Sequence, residues 1–365
     1  MSEVAYWVGF HLIAGIGRAK FERLRSYFGS LAAAWQANAA RLAASGLDQR
    51  SIQAIVDHRP GIDLDAEMEK LACHGVKALT MDDPGYPPRL KEIHDPPPVL
   101  YVQGTLLTDE DWPLAVVGTR RLTSYGREVT GQLVSDLVQN RVTIVSGLAR
   151  GIDTIAHKTA LASGGRTVAT LASGLDIIYP PENNKLAREI TTNGALVSEY
   201  PLGTRPRPEN FPRRNRIMSG LSLGTLVIEA DERSGALITA RMALDQDREV
   251  FAVPGNIFSS ASKGSNRLIR EGAKTVLGVA DILEELNLDL IPQQIALENL
   301  SPANDIESAL LEHMVEGPVH IDELCRSTSL PVSTVSSTLT IMELKGMVSQ
   351  LGNMNYIAAR GVKSK

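Results

Sequence analysis

The sequence predicts an α/β protein built on a doubly wound parallel sheet, with a helical segment before the sheet and a smaller segment of helices and strands after it. Two observations carry this prediction. From Pro113 onward, short β-branched apolar runs alternate with helical stretches of about a dozen residues, the pattern of strands buried on both faces. The chain also has 365 residues, a length that favours two or three domains over a single core.

The first 65 residues are expected to form a helical domain. Apolar residues recur at helical spacing in "KFERLRSYF" and "SLAAAWQANAARLAAS", and the turn "GIG", Gly15 to Gly17, lies between two helical stretches. Such a turn can present backbone N–H groups to a phosphate, with Arg18 and Lys20 beside it. It is equally well an ordinary turn in a small helical domain.

The central sheet is expected within residues 66–286. The proline-rich passages "DDPGYPP" and "DPPPVLYVQG" predict extended chain leading into it. The predicted strands are "PLAVVG", "RVTIVSG", "RTVATLA", "ALVSEY", "LGTLVIEA" and "EVFAVPG". Glycine turns follow them, and the carboxyl ends of parallel strands meet at one edge, where ligands bind to backbone N–H groups and helix N-termini. We call this edge the rim and expect the functional site there.

A linker is expected at residues 287–304 and a winged helix at 305–360. The last segment has three helical stretches and then two short strands around Gly352 and Asn353, the order of a winged helix. Its candidate recognition helix, "PVSTVSSTLTIMELKG", has no basic residue before Lys345. Because phosphate attraction is weak there, we expect this domain to contact protein or to regulate, and not to be the main site of polyanion binding.

The charge distribution points to the middle of the chain. The formal net charge is -5, yet residues 205–216, "RPRPENFPRRNR", hold five arginines against one glutamate. Residues 1–60 hold seven basic and four acidic residues, whereas residues 301–360 hold three basic and seven acidic residues. A polyanion is therefore expected to meet the middle of the chain first.

Several classes of protein are excluded or disfavoured. Cys73 and Cys325 lie far apart and outside any metal-ligand spacing, so we expect neither a disulfide framework nor a metal site. No apolar run approaches the roughly 18 residues of a membrane span, and no secretion signal opens the chain, so a soluble cytoplasmic protein is expected. The absence of a P-loop and of a dinucleotide fingerprint disfavours an ATPase and a nicotinamide or flavin enzyme, and no cofactor is expected.

Six stretches of the middle segment resemble the DprA/Smf family of DNA-processing proteins, in order and at about the same spacing. They are "VVGTRRLTSYG", "IVSGLARGIDTIAH", "LASGLDIIYPPEN", "SEYPLGTRPRPENFPRRNRIMSGLS", "VIEADERSGALITARMAL" and "VFAVPGN". The resemblance spans about residues 80 to 285. One departure is Thr119, where the family commonly has serine, and the hydroxyl is retained.

The resemblance implies an extended Rossmann-like core that forms a homodimer, a helical N-terminal domain of the SAM or helix-hairpin-helix kind, and a C-terminal winged helix. It further implies a protein that binds and protects single-stranded DNA and loads the RecA recombinase in natural transformation and homologous recombination. Such a protein is not an enzyme. Neither a catalytic residue nor membrane insertion is expected.

The DNA-binding residues are predicted from the rim, from the charge and from the resemblance together. Arg120 is expected to hold a phosphate through paired hydrogen bonds, and Phe211 either stacks on a base or belongs to the core. Neighbouring residues on a helix face different directions, so some arginines near 213 are expected to pair with buried carboxylates. The full set is Gly118, Thr119, Arg120, Ser146, Gly147, Arg150, Gly151, Gly174, Phe211, Arg213, Arg214, Asn215 and Arg216.

An alternative function depends on Asp153 and His157, which are spaced to share one helix face. A nucleotide-binding enzyme that hydrolyses nucleoside monophosphates on a Rossmann-like sheet would use them as a base and its orienting partner. An aspartate at a helix N-terminus more often caps its loop. The sequence alone leaves both alternatives open.

Overall fold

The structure, a computed structural model, divides into two compact units, Met1–Leu290 and Ile291–Lys365. The residues that it describes are 2–106, 112–288, 305–314, 319–328, 330–344, 347–350 and 354–358. The expected linker lies outside the described residues from residue 289 onward, as do Lys345, Gly352 and Asn353. The division into four segments at residues 65, 286 and 304 stays a prediction.

The first unit alternates helices and strands along most of its length. Its described helices are α1 (Glu3–Leu12), α2 (Arg18–Phe28), α3 (Leu31–Trp35), α4 (Ala39–Ala44), α5 (Gln49–His58), α6 (Leu64–Cys73), α7 (Pro88–Glu92), α8 (Ser124–Gln139), α9 (Ile152–Ala162), α10 (Asn184–Thr192), α11 (Asn210–Gly220), α12 (Gly235–Asp245), α13 (Lys263–Arg270) and α14 (Val279–Glu285). Its described strands are β1 (Val76–Thr80), β2 (Val99–Gly104), β3 (Trp112–Val117), β4 (Val142–Ser146), β5 (Thr167–Thr170), β6 (Gly194–Ser198), β7 (Gly224–Val227), β8 (Glu249–Ala252) and β9 (Lys274–Thr275).

These strands form one sheet in the order β1-β2-β6-β5-β4-β3-β7-β8-β9. Every neighbouring pair from β6 to β9 is parallel, which confirms the predicted doubly wound parallel sheet. The six apolar runs of the sequence are β3 to β8. The central strands β3, β4 and β5 are buried over nearly their whole length because helices cover both faces of the sheet.

Two antiparallel strands extend the sheet beyond β6. β2 pairs antiparallel with β6, and β1 pairs antiparallel with β2. β2 forms within "DPPPVLYVQG", for which the sequence predicts only extended chain. Its prolines precede the strand, where no ladder hydrogen bond requires a backbone N–H.

The N-terminal helices α1 to α6 share a hydrophobic cluster with the sheet. Phe10 of α1 packs edge-on against Trp35, with ring centroids 4.8 Å apart. Tyr101 of β2 is fully buried in the same cluster, and its hydroxyl lies 3.2 Å from Nδ1 of His11. The helices and the antiparallel edge of the sheet therefore form one continuous core.

The second unit has the topology of a winged helix, as predicted. Its described elements are α15 (Asp305–Glu312), β10 (Val319–His320), α16 (Ile321–Thr328), α17 (Val332–Leu344), β11 (Val348–Gln350) and β12 (Asn355–Ala358). The strands pair antiparallel in the order β10-β12-β11, so β10 adds a strand that the sequence does not predict. Leu310, Leu324, Leu339 and Tyr356 lie in its core.

Among the described helices of both units, none is long and apolar enough to span a lipid bilayer.

Candidate nucleic-acid interface

The order in which the parallel strands are added to the sheet changes side at β3. From β3 the sheet grows through β4, β5 and β6 on one side and through β7, β8 and β9 on the other. At such a switch point the loops that leave the carboxyl ends of two adjacent strands diverge, and ligands of open α/β sheets bind in the crevice between them.

A cleft of about 480 Å³ lies at this switch point, and we call it the rim cleft. Residues 118–121, which follow β3, line it together with the first turns of α11 and the start of α12. Gly118, Thr119, Arg120 and Phe211 are all at this cleft, as the sequence predicts them to be at one site.

Arg120 and Phe211 contact each other in the rim cleft. The guanidinium carbon of Arg120 lies 5.2 Å from the centroid of the Phe211 ring, in cation–π geometry. Tyr179, which is 42% exposed, packs edge-on against the same Phe211 ring at a centroid distance of 5.7 Å. The Arg120 side chain is exposed and, among the described residues, forms no salt bridge. Tyr179 is not a predicted site residue, although an aromatic residue in a turn after a strand is visible in "LDIIYPPEN".

The loop after β4 contains a negative group of its own. The buried carboxylate of Asp153 accepts a hydrogen bond from the Ala149 N–H at 3.2 Å, and the nearby Gly147 N–H also favours its charged form. Burial raises the pKa of this carboxyl, and the positive charges of Arg214 and Arg120 oppose the rise. The carboxylate of Asp153 is therefore the acceptor in the loop where the sequence predicts that backbone N–H groups bind a phosphate.

Two glycines of the predicted site are required by packing within the protein. At Gly147 the guanidinium of Arg214 occupies the space that a Cβ would need. Gly151 has a φ of +80° and lies against the backbone of Thr119 and Arg120, where a side chain would overlap both. Gly151 thereby holds the loop after β4 against the Arg120 loop.

The three arginines of "FPRRNR" lie in different environments. Arg213 is exposed, whereas Arg214 is only 4% exposed and donates from Nη1 to the Thr170 carbonyl oxygen at 2.9 Å. Arg216 pairs with the largely buried Glu199 and with Asp95. The expectation that some of them pair with buried carboxylates therefore describes Arg216, while Arg213 is the one that faces solvent.

The other predicted residues contribute mainly to the framework. The hydroxyl of the buried Ser146 donates to the Val116 carbonyl oxygen at 2.7 Å. The Gly174 N–H donates to the Thr204 carbonyl oxygen at 2.9 Å. Arg150 is exposed and pairs with Glu182 at 2.5 Å. Asn215 lines the rim cleft but is only 9% exposed.

His157 is a buried neutral residue. Its Nδ1–H donates to Thr167 Oγ1 at 2.7 Å, because the Thr167 hydroxyl itself donates to the Ile144 carbonyl oxygen at 2.8 Å. Burial, assisted by the charge of Arg214, lowers the pKa of His157 to about 3. Asp153 bonds to its loop and His157 bonds to Thr167, so the two do not form a base and its orienting partner.

Comparison with known proteins places the chain in a family. Residues 77–287 match the family model of DNA recombination-mediator protein A, and residues 296–354 match the DprA winged helix domain. The chain belongs to the DprA/Smf family. It is 36% identical to Protein Smf of Synechocystis over 392 aligned positions, which cover 97% of this chain and 98% of that protein. It is 43% identical to DNA processing protein DprA of Bacillus subtilis over 213 positions, 58% of this chain and 72% of that protein.

Two solved structures of DNA processing protein A resemble this DprA/Smf chain. That from Streptococcus pneumoniae has a TM-score of 0.67 and 34% identity, covering 77% of this chain and 97% of that one. That from Helicobacter pylori has a TM-score of 0.53 and 33% identity, covering 58% of this chain and 95% of that one. The second structure concerns the single-stranded DNA binding mode of its protein.

The buried state of His157 predicts an acid-dependent loss of stability. The pKa of His157 is about 3 in the folded protein and 6.5 ordinarily. Its contribution to the free energy of unfolding is therefore fully present above pH 6.5 and is lost as the pH falls towards 3. His11, whose pKa burial lowers to about 4, acts in the same direction. Between pH 5 and 6 each histidine adds roughly 1.2 kcal/mol per pH unit to the slope of the unfolding free energy.

The measurement is denaturant unfolding at several pH values between 5 and 6.5. His157→Asn keeps a donor for Thr167 and removes the titrating ring. The slope of the unfolding free energy against pH is therefore expected to fall by roughly 1.2 kcal/mol per pH unit, the contribution of one histidine. The control is His58→Asn, the same substitution at an exposed histidine. An unchanged slope in His157→Asn would contradict a buried neutral ring and return His157 to the list of catalytic candidates.

Proposed function

We propose that this protein binds single-stranded DNA at the rim cleft, in the cytoplasm, during natural transformation and homologous recombination. The observation that carries the proposal is the contact of Arg120 with Phe211, which puts an exposed guanidinium beside an aromatic ring. Proteins that bind single strands combine these two groups, a cation for the phosphate and a ring for the base. A strand held in this way is bound with little dependence on its base sequence.

The surroundings of Arg120 suit an extended polyanion. A guanidinium donates paired hydrogen bonds to a phosphate, and Arg121 lines the same cleft. Tyr179 supplies a second, partly exposed ring next to Phe211. The single-stranded DNA binding mode described for the Helicobacter pylori relative supports the same ligand class for this chain.

A binding protein accounts for the site better than a nucleotide hydrolase does. Hydrolysis needs a general base within reach of a water molecule in the cleft. Asp153 is engaged by the loop N–H groups, and His157 is fully buried. We therefore propose neither a catalytic residue nor a cofactor. Among the described residues, no group of three or more histidine, cysteine, aspartate or glutamate side chains is placed to hold a metal ion.

We further propose that the Rossmann-like core forms a homodimer. Three large apolar side chains near the β9 edge of the sheet support this: Ile257, Phe258 and Leu277 are 73%, 89% and 83% exposed. Ile257 and Phe258 follow β8, and Leu277 follows β9. A contiguous apolar patch on the surface is typical of a face that a partner covers.

We also propose that the protein protects incoming DNA and passes the bound strand to RecA, and so loads the recombinase. Membership of a family of recombination mediators supports it. The winged helix, which is acidic over residues 301–360, then serves as a protein-contact or regulatory module.

Arg120→Ala is expected to weaken binding of all single-stranded sequences about equally. One phosphate contact is lost, so affinity falls about tenfold and the slope of log K against log salt becomes shallower by about 0.7. Fluorescence anisotropy with homopolymeric oligonucleotides at several salt concentrations measures both quantities. Arg188→Ala, at an exposed arginine of α10 outside the rim cleft, is the control. If Arg120→Ala folds normally and binds like the control, the rim cleft is not the DNA site.

Phe258→Asp is expected to convert a dimer to a monomer, because it puts a charge into the apolar contact. The residue is 89% exposed, so the fold of the single chain is unaffected. Light scattering coupled to gel filtration gives the mass. Tyr27→Asp, at a 50% exposed aromatic residue of α2, is the control and leaves the dimer intact. A monomeric wild type, or a dimeric Phe258→Asp variant, contradicts the proposed interface.

The wild-type protein is expected to shorten the lag of RecA filament assembly on single-stranded DNA. Arg120→Ala loses this effect in proportion to its loss of DNA binding, and Arg188→Ala keeps it. Assembly is followed by the ATPase activity of RecA on a homopolymeric strand. A lag that the wild-type protein leaves unchanged would remove RecA loading from the proposal without affecting DNA binding.

A further inference from the structure

A second concave surface of about 1100 Å³ lies within the first unit, and we call it the hairpin groove. One wall is the turn between α1 and α2, residues 11–17. The facing wall is the segment after β6, residues 199–205, together with Arg207, Asn210 and Arg213. The hairpin groove and the rim cleft have no lining residue in common.

The wall after β6 carries exposed positive charge. Arg205, Arg207 and Arg213 are exposed, and within residues 2–106 and 112–288 their side chains take part in no salt bridge or hydrogen bond. Glu199 also lines the groove, but its carboxylate is paired with Arg216. The groove is therefore a concave surface with three exposed guanidinium groups, of which Arg213 is also attracted by the charge of Glu199. Such an arrangement suits a phosphate backbone.

The facing wall contributes shape and not charge. Gly15 and Gly17 are exposed, and neither has a neighbouring atom where a Cβ would stand. Lys20 donates to the Gly15 carbonyl oxygen at 2.8 Å and pairs with Asp48 at 3.2 Å. Arg18 donates to the His94 carbonyl oxygen and pairs with Glu22 at 2.8 Å. The two cations beside the "GIG" turn are thus engaged within the protein, and the turn leaves the groove open.

The first turn of α11 connects the two concave surfaces. Phe211 and Pro212 line the rim cleft, whereas Asn210 and Arg213 line the hairpin groove. A strand that stacks on Phe211 and crosses this turn reaches Arg213 and then the groove. The helical period explains this division, because Asn210 and Arg213 are three residues apart and share one side of the helix.

We propose that the hairpin groove carries the bound single strand onward from the rim cleft, so that the N-terminal helices form one wall of the DNA path. The inference rests on the proposed function, since it extends the same strand. A nucleic acid fits better than an acidic segment of a protein, because the groove adjoins the turn of α11 that carries Phe211 and its guanidinium groups match phosphates.

The first test compares a short with a long oligonucleotide. Single-strand sites span roughly 4–16 nucleotides, so an oligomer of about 5 fills the rim cleft and one of about 20 also enters the groove. The double variant Arg205→Ala, Arg207→Ala is expected to bind the long oligomer about tenfold more weakly, with a salt slope shallower by about 1.4, and the short one as wild type does. The control is the double variant Arg50→Ala, Arg188→Ala, at exposed arginines outside both surfaces, which binds both oligomers normally.

The second test places one negative charge on the opposite wall. Gly17 is the N-cap of α2 with φ -100° and no side-chain cap, so Gly17→Asp is compatible with the backbone and caps the helix. It is expected to weaken binding of the long oligomer about threefold and to leave the short one unchanged. Asn38→Asp adds the same charge at the N-cap of α4, where the side chain already accepts from Arg41 N–H, and leaves both unchanged.

The outcomes separate this inference from the proposed function. If Arg120→Ala weakens both oligomers while the groove variants weaken neither, the strand does not enter the groove and only the inference fails. If the groove variants weaken both oligomers equally, the groove is not an extension of the cleft and the inference also fails. If the wild type binds neither oligomer, the proposed function itself fails.

Discussion

The guanidinium of Arg214 is buried where the loop after β4, the end of β5 and the first turns of α11 meet. It donates to the Thr170 carbonyl oxygen and fills the space beside Gly147, and its positive charge stabilises the buried carboxylate of Asp153. A buried cation is costly unless an opposite charge and hydrogen bonds compensate it. Asp153 provides that charge while it holds the loop N–H groups, so a single electrostatic arrangement fixes the loop and the helix together.

The exposed part of the site follows from this buried part. Because Arg214 anchors α11, Phe211 in the turn before it is held at the rim cleft. Gly151 holds the loop after β4 against the backbone of Arg120, which brings the guanidinium of Arg120 over the Phe211 ring. A preorganised cation and ring lose little conformational entropy when a strand binds, and such preorganisation favours affinity.

The arrangement also explains why a loop that looks like a phosphate cradle in the sequence does not leave its N–H groups free. In nucleotide-binding sheets of this topology the glycine-rich turn lets a pyrophosphate approach the backbone. Here the carboxylate of Asp153 and the guanidinium of Arg214 take that space. The exposed arginine side chains along the rim are therefore the groups that we propose to bind a long, flexible polyanion.

The sequence predicts the sheet well because strands buried on both faces are continuous apolar runs, as β3 to β8 are. It misses the antiparallel pairing of β2, since the prolines of "DPPPVLYVQG" mask a strand that begins directly after them. For the site, a strand followed by a glycine turn locates Arg120. It cannot tell Arg213 from Arg214, because consecutive helical residues differ in direction by about 100° and tertiary packing decides which one is buried. The sequence does offer Asp153 as a cap of its own loop, and this is the role that the structure gives it.

Hydrogen exchange of the full chain with and without a saturating homopolymeric single strand tests the central claim, that the carboxyl-end rim is the DNA surface. The account predicts protection of peptides that cover residues 118–121 and 210–213, and no change in peptides at the opposite edge, such as 140–142 and 222–224. Protection at that opposite edge, or only within residues 305–358, would contradict it.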